Sequence, residues 1–311
     1  MAEHDPIPDS PSSGPAVELP PAPRLRQRPD GAMILAAAAK INLNLLVGPR
    51  RQDGYHPIDS FVTRITLYDE VAIVPRRDGR IVLRCTGADC GRAEQNVAFR
   101  AASLLAEGRS SPGATIELTK RIPPGSGLGG GSADAVAVLA GLNDLWGLGL
   151  AADRLAELAG RLGSDVPFFL GPPAARLTGR GEIIQPLAVH AFCAVLYLPS
   201  FSCFTAEVYR EYDRLPRTPQ PQLDPAILAG PPSRWRGLLR NDLLAAAGQV
   251  AKELAAAHDR LSRALPVPVC LTGSGSALFA LCDDLAEARA VLSAVPQDLH
   301  GACRIVVRND W

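Results

Sequence analysis

From Met33 onward the chain sets apolar runs against polar breaks, and over Ile34–Val47 the breaks Lys40, Asn42 and Asn44 fall at every second position. A period of two is that of a strand. It predicts one strand with these three residues on one face and Ile41, Leu43 and Leu45 on the other. Phe61–Val74, Arg80–Cys85, Thr115–Lys120, Phe192–Leu198, Val267–Leu271, Ala277–Cys282 and Cys303–Arg308 read as further strands. Helical spacing recurs over Asn96–Glu107, where Val97, Ala101, Leu104 and Leu105 share a stripe and Asn96 stands as a cap. It recurs again over Ser132–Leu145, Ala152–Leu162, Asp242–Leu261 and Asp283–Val295. Strands and helices interleave without regular alternation, which predicts an α+β fold rather than a doubly wound sheet.

Residues 1–32 hold eight prolines with serines between them. Proline lacks an N–H and fixes φ, so this stretch is expected to be a disordered extension. The 311 residues suit two domains, expected at 33–188 and 189–311. Pro216–Pro232 is expected to run over the surface as a connection. Hydrophobic residues make up 47% of the chain, enough for a sizeable core, and 32 basic side chains balance 32 acidic ones. That balance offers no global attraction for nucleic acid or an anionic membrane. The apolar run Met33–Ala39 is far shorter than the roughly 20 residues of a membrane span. The start of the chain carries Glu3, Asp5, Asp9 and Glu18 and lacks the basic-then-apolar order of a secretion signal, so the expected location is cytoplasmic. The seven cysteines are odd in number and include no CxxC, which predicts reduced core thiols rather than a disulfide framework or a zinc site; no metal ligands are assigned.

Candidate chemistry centres on Pro123, Pro124, Gly125, Ser126, Gly127, Leu128, Gly129, Gly130, Gly131, Ser132 and Ala133. Glycine lets a backbone turn sharply and bring its N–H groups up to a ligand. The stretch runs directly into a helix, whose start adds unpaired donors and partial positive charge. That favours phosphate binding over a flexible linker. No Gly-Lys-Ser/Thr follows, so it is not a Walker A loop, and the third glycine of a dinucleotide fingerprint is missing. A second glycine turn, Thr272–Ser276, lies between two strand-like runs and is either a hairpin turn or a second wall of the same anion pocket. Only three of the 32 basic residues are lysines: Lys40, Lys120 and Lys252. Lys40 among apolar neighbours is either a snorkelling edge lysine or a specific cation. Asp165, in Gly163–Pro167, is either a turn residue or a carboxylate aimed at chemistry.

The set Ala39-Lys40-Ile41-Asn42-Leu43, Asp53-Gly54-Tyr55-His56, Pro123–Ala133, Gly163–Pro167 and Leu271–Ser276, in that order, resembles the GHMP kinases. The resemblance runs from about Ala36 to the end of the chain. It implies a two-domain fold with the active site in the interdomain cleft. It also implies transfer of the γ-phosphoryl group of ATP, accompanied by Mg²⁺, to an alcohol. Within the family, the early Ala-Lys-x-Asn-Leu and Asp-Gly-Tyr-His motifs point to a cytidine-diphosphate-linked methylerythritol, phosphorylated on its 2-hydroxyl in the non-mevalonate route to isoprenoid precursors. Lys40 and Asp165 match the family's catalytic positions, and Pro123–Ala133 its ATP loop. Asn42, Tyr55, His56 and Thr205 match substrate-side positions, with Gly273 and Ser274 in the second glycine turn beside them. The implied partner is this small molecule, with no nucleic acid or membrane, and the implied assembly is a monomer or weak homodimer.

Three other readings stand beside this one. A kinase for mevalonate, phosphomevalonate or homoserine has no base for Tyr55 to stack on. A non-catalytic nucleotide-binding regulator has no use for both Lys40 and Asp165. A nucleic-acid binder needs a basic, aromatic-rich stripe that the sequence lacks.

Overall fold

The computed structural model describes residues 26–29, 31–88, 90–108, 113–216 and 222–309. Most of the expected disordered extension therefore lies outside the described residues. Its end does not: β1 (Arg26–Gln27) pairs antiparallel with Met33–Ile34 of β2 (Met33–Val47). The expectation that nothing before residue 33 could join a ladder is corrected here. Arg26 and Gln27 sit in the proline-free interval between Pro23 and Pro29, so their amides are free to pair.

Seven strands form the first sheet. Beyond β1 and β2 they are β3 (Ile58–Pro75), β4 (Ile81–Gly87), β5 (Ala114–Lys120), β6 (Ala174–Gly179) and β7 (Ile183–Pro186). The path runs β1-β2-β3-β5-β4, and β6 pairs with the front half of β3 and carries β7 on its other edge. Only the β4–β5 pair is parallel. The pair β6–β7 had no sequence forecast; its strands are short and carry little alternation. Helices α1 (Val97–Ala106), α2 (Gly130–Leu145) and α3 (Ala152–Leu162) cover this sheet over a core that includes Val71, Ile116, Leu139 and Phe168. Asn96 caps α1 as the pattern indicated, accepting from the Ala98 amide at 2.9 Å. Gly141 of α2 faces Ile73 and Leu35 so closely that a Cβ there would collide with Ile73. The small residues of α2 thus let its axis lie low on the sheet, which fixes where its N-terminus points.

The second sheet has the order β11-β8-β10-β9, with β8 (Cys193–Tyr197), β9 (Val269–Leu271), β10 (Leu278–Cys282) and β11 (Cys303–Val307), all antiparallel. Pro186 and Cys193 bracket the passage from one sheet to the other. Around the second sheet lie α4 (Thr205–Tyr212), α5 (Leu244–Val250), α6 (Lys252–Ala264), α7 (Leu285–Ser293) and α8 (Gln297–His300). The single helix expected over Asp242–Leu261 is two helices. Ala251 turns extended between them, and the chain folds back so that Gly248 faces Ala255. The stretch Pro216–Pro232 is not merely a surface connection. Residues 217–221 lie outside the described residues, but Leu228 beyond them is fully buried, as is nearby Trp235, whose indole N–H donates to the Gly230 carbonyl at 2.8 Å. A third apolar cluster, with Ile41, Leu43, Phe61, Phe279, Leu281 and Trp235, joins the two sheets.

The expectation of seven reduced thiols is corrected at one pair. Cys85 and Cys90, five residues apart at the end of β4, are joined by a disulfide, their Cα atoms 6.5 Å apart. The other five are free, and four of them are buried. Burial pushes the thiols of Cys270 and Cys282 up to about 12, so they behave as inert core residues. Among the described residues no helix is long and apolar enough to cross a membrane, and no cluster of three or more His, Cys, Asp or Glu is placed to hold a metal ion.

Candidate active site

A cavity of about 730 Å³ opens where the glycine loop meets both sheets. Lys40, Asn42, Asp165, Thr205, Gly273, Ser274 and Pro123–Ser132 all contribute to its lining. Residues that are up to 234 positions apart in sequence thus share one space.

The strand that carries Lys40 departs from simple alternation in a way that matters. Its pairing with β3 shifts between Ala38 and Ala39 and again between Asn42 and Asn44. A bulge of this kind re-aims side chains. As a result Lys40 and Asn42 face the cavity, followed by Leu45 and not by Asn44. Asn44 is buried, and its side-chain oxygen accepts the Arg240 amide at 3.1 Å. The expectation that all three polar residues share one face holds for the first two and fails at the bulge.

Lys40 is 5% exposed. Its stem passes Gly129, and its Nζ donates to Asn42 Oδ1 at 2.5 Å. Asn42 Nδ2 in turn donates to Ser60 at 2.8 Å, and the Asn42 amide donates to Thr272 Oγ1 at 3.0 Å. The Asn42 side chain thus aims the ammonium. Burial pulls Lys40 below the usual lysine range, and the nearby Asp165 carboxylate opposes that shift. Among the described residues no direct ion pair joins the two. Asp165 lies just beyond the end of α3, in a turn that continues into Pro167–Leu170. Arg64 Nη2 holds this turn by donating to the carbonyls of Phe168, Phe169 and Gly171 at 3.2, 2.8 and 2.8 Å.

The glycine loop turns at Gly125, Gly127 and Gly129, whose φ values are 67°, 77° and 71°. α2 begins at Gly130, two residues earlier than its apolar pattern suggested, because Gly129 in the left-handed region already starts it. The first-turn amides therefore belong to Gly130, Gly131 and Ser132, with no carbonyl inside the helix to accept them. The loop's own carbonyls are engaged from behind. Gly125 O accepts from Cys203 at 3.1 Å, Ser126 O from Ala277 at 3.0 Å, and Leu128 O from Lys40 at 2.9 Å. Ser126 closes the loop on itself by donating to the Pro123 carbonyl at 2.6 Å. Such a frame, with donors forward and acceptors used up behind, suits a triphosphate. A Cβ on Gly127 would overlap the Thr272 carbonyl oxygen. Gly127→Ala should therefore weaken ATP binding by about tenfold or more, read by calorimetric titration, since both the left-handed φ and the contact with the second glycine turn forbid the methyl group.

The second glycine turn stands against the first. Gly273 lies close to Gly127 and to Lys40 Nζ, and Ser274 Oγ shares a 2.8 Å hydrogen bond with Thr205 Oγ1. The remaining three sequence candidates lie outside the cavity lining, and Ala133 is one of them, buried in the core between α2 and the first sheet. Tyr55 is half exposed, with the Arg180 guanidinium 4.5 Å from its ring centroid. His56 is buried. Its Nδ1 is 2.9 Å from the Gly48 carbonyl, which can only accept, so that nitrogen carries the proton. Its Nε2 lies 3.4 Å from Asp213. Both ring nitrogens thus face protein groups, and the ring packs on Tyr209 and Tyr212 at centroid distances of 5.2 and 5.9 Å.

Sequence reasoning missed Tyr209, which lines the cavity one helical turn after Thr205. Burial and the nearby Asp165 charge raise its phenol well above the usual tyrosine range, so it stays protonated. The spacing Thr205 to Tyr209 on one helix face was the available signal. Also missed were Asn96, Val97 and Ile122 as cavity residues, and Asp134. Asn96 read as a cap and Val97 as part of an apolar stripe, because nothing in a single sequence says that a helix cap borders a cleft.

The fold and the cleft are those of a GHMP kinase. The model of the GHMP kinase N-terminal domain matches residues 96–171, and that of the C-terminal domain matches residues 225–301. The 4-diphosphocytidyl-2-C-methyl-D-erythritol kinase of Pelotomaculum thermopropionicum is 39% identical over 267 residues, covering 82% of this chain and 91% of its own. The enzyme of the same name from Thermobifida fusca is 40% identical over 275 residues, covering 83% and 89%. A crystal structure of 4-(cytidine 5'-diphospho)-2C-methyl-D-erythritol kinase superposes with a TM-score of 0.72 at 35% identity, covering 89% of this chain and all of that one. The chain belongs to the 4-diphosphocytidyl-2-C-methyl-D-erythritol kinase family.

Proposed function

We propose that the protein transfers the γ-phosphoryl group of ATP to the 2-hydroxyl of 4-diphosphocytidyl-2-C-methyl-D-erythritol, giving the 2-phosphate and ADP in the non-mevalonate route to isoprenoid precursors. The observation that carries the reading is the shared cavity: Lys40 and Asp165 border the same space as the glycine loop. The acceptor is a tertiary alcohol, hindered and weakly nucleophilic. Asp165 takes its proton as the oxygen attacks the γ-phosphorus and the bond to the β-phosphate oxygen breaks. Lys40 is the fixed cation beside that oxygen, aimed by Asn42. Main-chain amides of Gly125–Ser132 cradle the phosphates, whose negative charge Mg²⁺ bound with ATP would help to neutralise.

With Lys40 and Asp165 marking where the alcohol lies, the Cys90–Val97 and Ile122–Pro124 side of the cavity is left for the ATP nucleoside. Thr205, Ser274 and Tyr209 border the acceptor's side. Tyr55 and His56 serve the cytidine end, His56 by packing against the Tyr209 ring. The enzyme works in the cytoplasm as a monomer or weak homodimer on a small molecule, without a nucleic-acid or membrane partner; the balanced charge of the chain supports this.

The test compares kcat/KM for the cytidylated alcohol with that for mevalonate and for homoserine. The reading predicts a preference of about 10³-fold or more for the cytidylated compound, because buried polar groups built to hold a substrate reject analogues that leave them unpaired. Comparable turnover of mevalonate or homoserine would contradict it.

A further inference from the structure

Two of the chain's three lysines are buried, and the catalytic proposal uses only one of them. The other, Lys120, is 7% exposed at the end of β5. Its Nζ donates to Asp69 on β3 and, at 2.8 Å, to Asp134 Oδ2 on α2. Asp69 is fully buried, and its second oxygen accepts the amides of Arg121 at 2.6 Å and Ile122 at 2.8 Å. Lys120 Nζ also lies 3.1 Å from where a Cβ on Gly130 would stand. Asp134 is 2% exposed, and its Oδ1 has no hydrogen-bond partner.

These contacts converge on the two ends of one segment. Arg121 and Ile122 are the last residues before the glycine loop, and Gly130–Asp134 are the first of the helix that follows it. The entry is tied through Asp69 and the exit through Lys120 and Asp134, and both ties belong to a single carboxylate–ammonium–carboxylate chain. A loop this rich in glycine loses much conformational freedom when ordered. If ligand binding had to supply that ordering, affinity would fall accordingly. Burying three ionisable groups costs free energy that an apolar cluster would not, so their presence under a binding loop calls for a role beyond packing. Burial, opposed by Lys120 and helped by the neighbouring Asp69 charge, pushes the Asp134 carboxyl up to about 7.

We propose that Asp69, Lys120 and Asp134 are positioning residues that fix the distance between the two ends of the glycine loop and so preorder it for the triphosphate. The inference rests on the reading of Gly125–Ser132 as the ATP site. Its signature is a loss concentrated on the nucleotide, since Lys120 and Asp134 border the cavity at the two ends of the glycine loop.

The experiment titrates a non-hydrolysable ATP analogue into wild type, Asp134→Ala and Asp134→Asn, and measures kcat and both KM values for each. Asp134→Ala should raise the analogue's Kd and the KM for ATP by about tenfold or more, with kcat at saturating ATP down by less than about threefold and the alcohol's KM within about twofold. Asp134→Asn keeps an oxygen for Lys120 and should restore ATP affinity to within about threefold of wild type. If Asp134→Ala does not fold, the double variant Lys120→Met, Asp134→Leu removes both charges of the exit tie together and should show the same nucleotide-specific loss. Unchanged ATP affinity in a folded variant overturns the proposal, and so does an equal decline of kcat and both affinities, which marks a general structural effect. Failure of wild type to bind the analogue would instead overturn the ATP reading.

Discussion

Asp165→Asn should lower kcat by about 10³-fold, within the usual range for a positioned proton acceptor, while the Kd for ATP stays within about twofold of wild type. The asymmetry follows from position. Asp165 sits just beyond the end of α3, on a different element from the loop amides that hold the nucleotide in the proposed reading. Asparagine keeps the shape and one oxygen but cannot take a proton, so binding survives and chemistry does not. The turn that carries Asp165 is held at three carbonyls by Arg64, which makes a collapse of the site in the variant an unlooked-for result. Rapid-quench measurement of the transfer step, beside a calorimetric ATP titration, separates the two quantities. A variant that transfers phosphate at the wild-type rate would remove Asp165 from the mechanism.

Lys40→Met should lower kcat by about 10²–10³-fold, as expected for removing a buried, preorganised charge. Methionine matches the stem that packs along Gly129, so the loop remains in place and the loss reports the charge. Asn42 would lose its donor, and Asp165 its neighbouring cation. The same residue predicts a pH effect. Burial holds the Lys40 ammonium below the usual lysine range, so kcat/KM should decline on the alkaline side earlier than an ordinary lysine would make it. Stability runs the other way. The unfolded chain keeps this proton to higher pH than the folded one, so between the two pKa values the unfolded state binds more protons and the fold gains stability as pH rises. A wild-type pH–rate profile read beside thermal melts should therefore show activity falling while this group's contribution to stability grows.

Much of this site was legible in the sequence, for identifiable reasons. A lysine at strand period among apolar neighbours, in a chain that otherwise uses arginine, stands out without any structure. Glycines at Gly125, Gly127 and Gly129 mark a backbone that needs left-handed angles, and each adopts one. What stayed hidden depends on partners distant in sequence. The bulge after Asn42 arises from how β2 meets β3, and it alone decides that Leu45 rather than Asn44 faces the cavity. That both nitrogens of His56 face protein groups was hidden, because Gly48 and Asp213 cannot be paired with it from spacing. Leu228 sits in the proline-rich stretch that reads as surface, yet it is buried with Trp235 in the cluster that joins the sheets. The break at Ala251 is foreshadowed only by Gly248, a single glycine that a helix tolerates, and follows from the packing of α5 on α6. Lys120 could be noticed as a rare lysine, but its two carboxylates lie 51 and 14 residues away.

The most direct measurement is one incubation of the wild-type protein with ATP, Mg²⁺ and 4-diphosphocytidyl-2-C-methyl-D-erythritol, followed by mass and phosphorus NMR analysis of the product. The account predicts a single added phosphate on the 2-hydroxyl with one ADP formed per product. Absence of transfer, or a phosphate on any other oxygen, would contradict it.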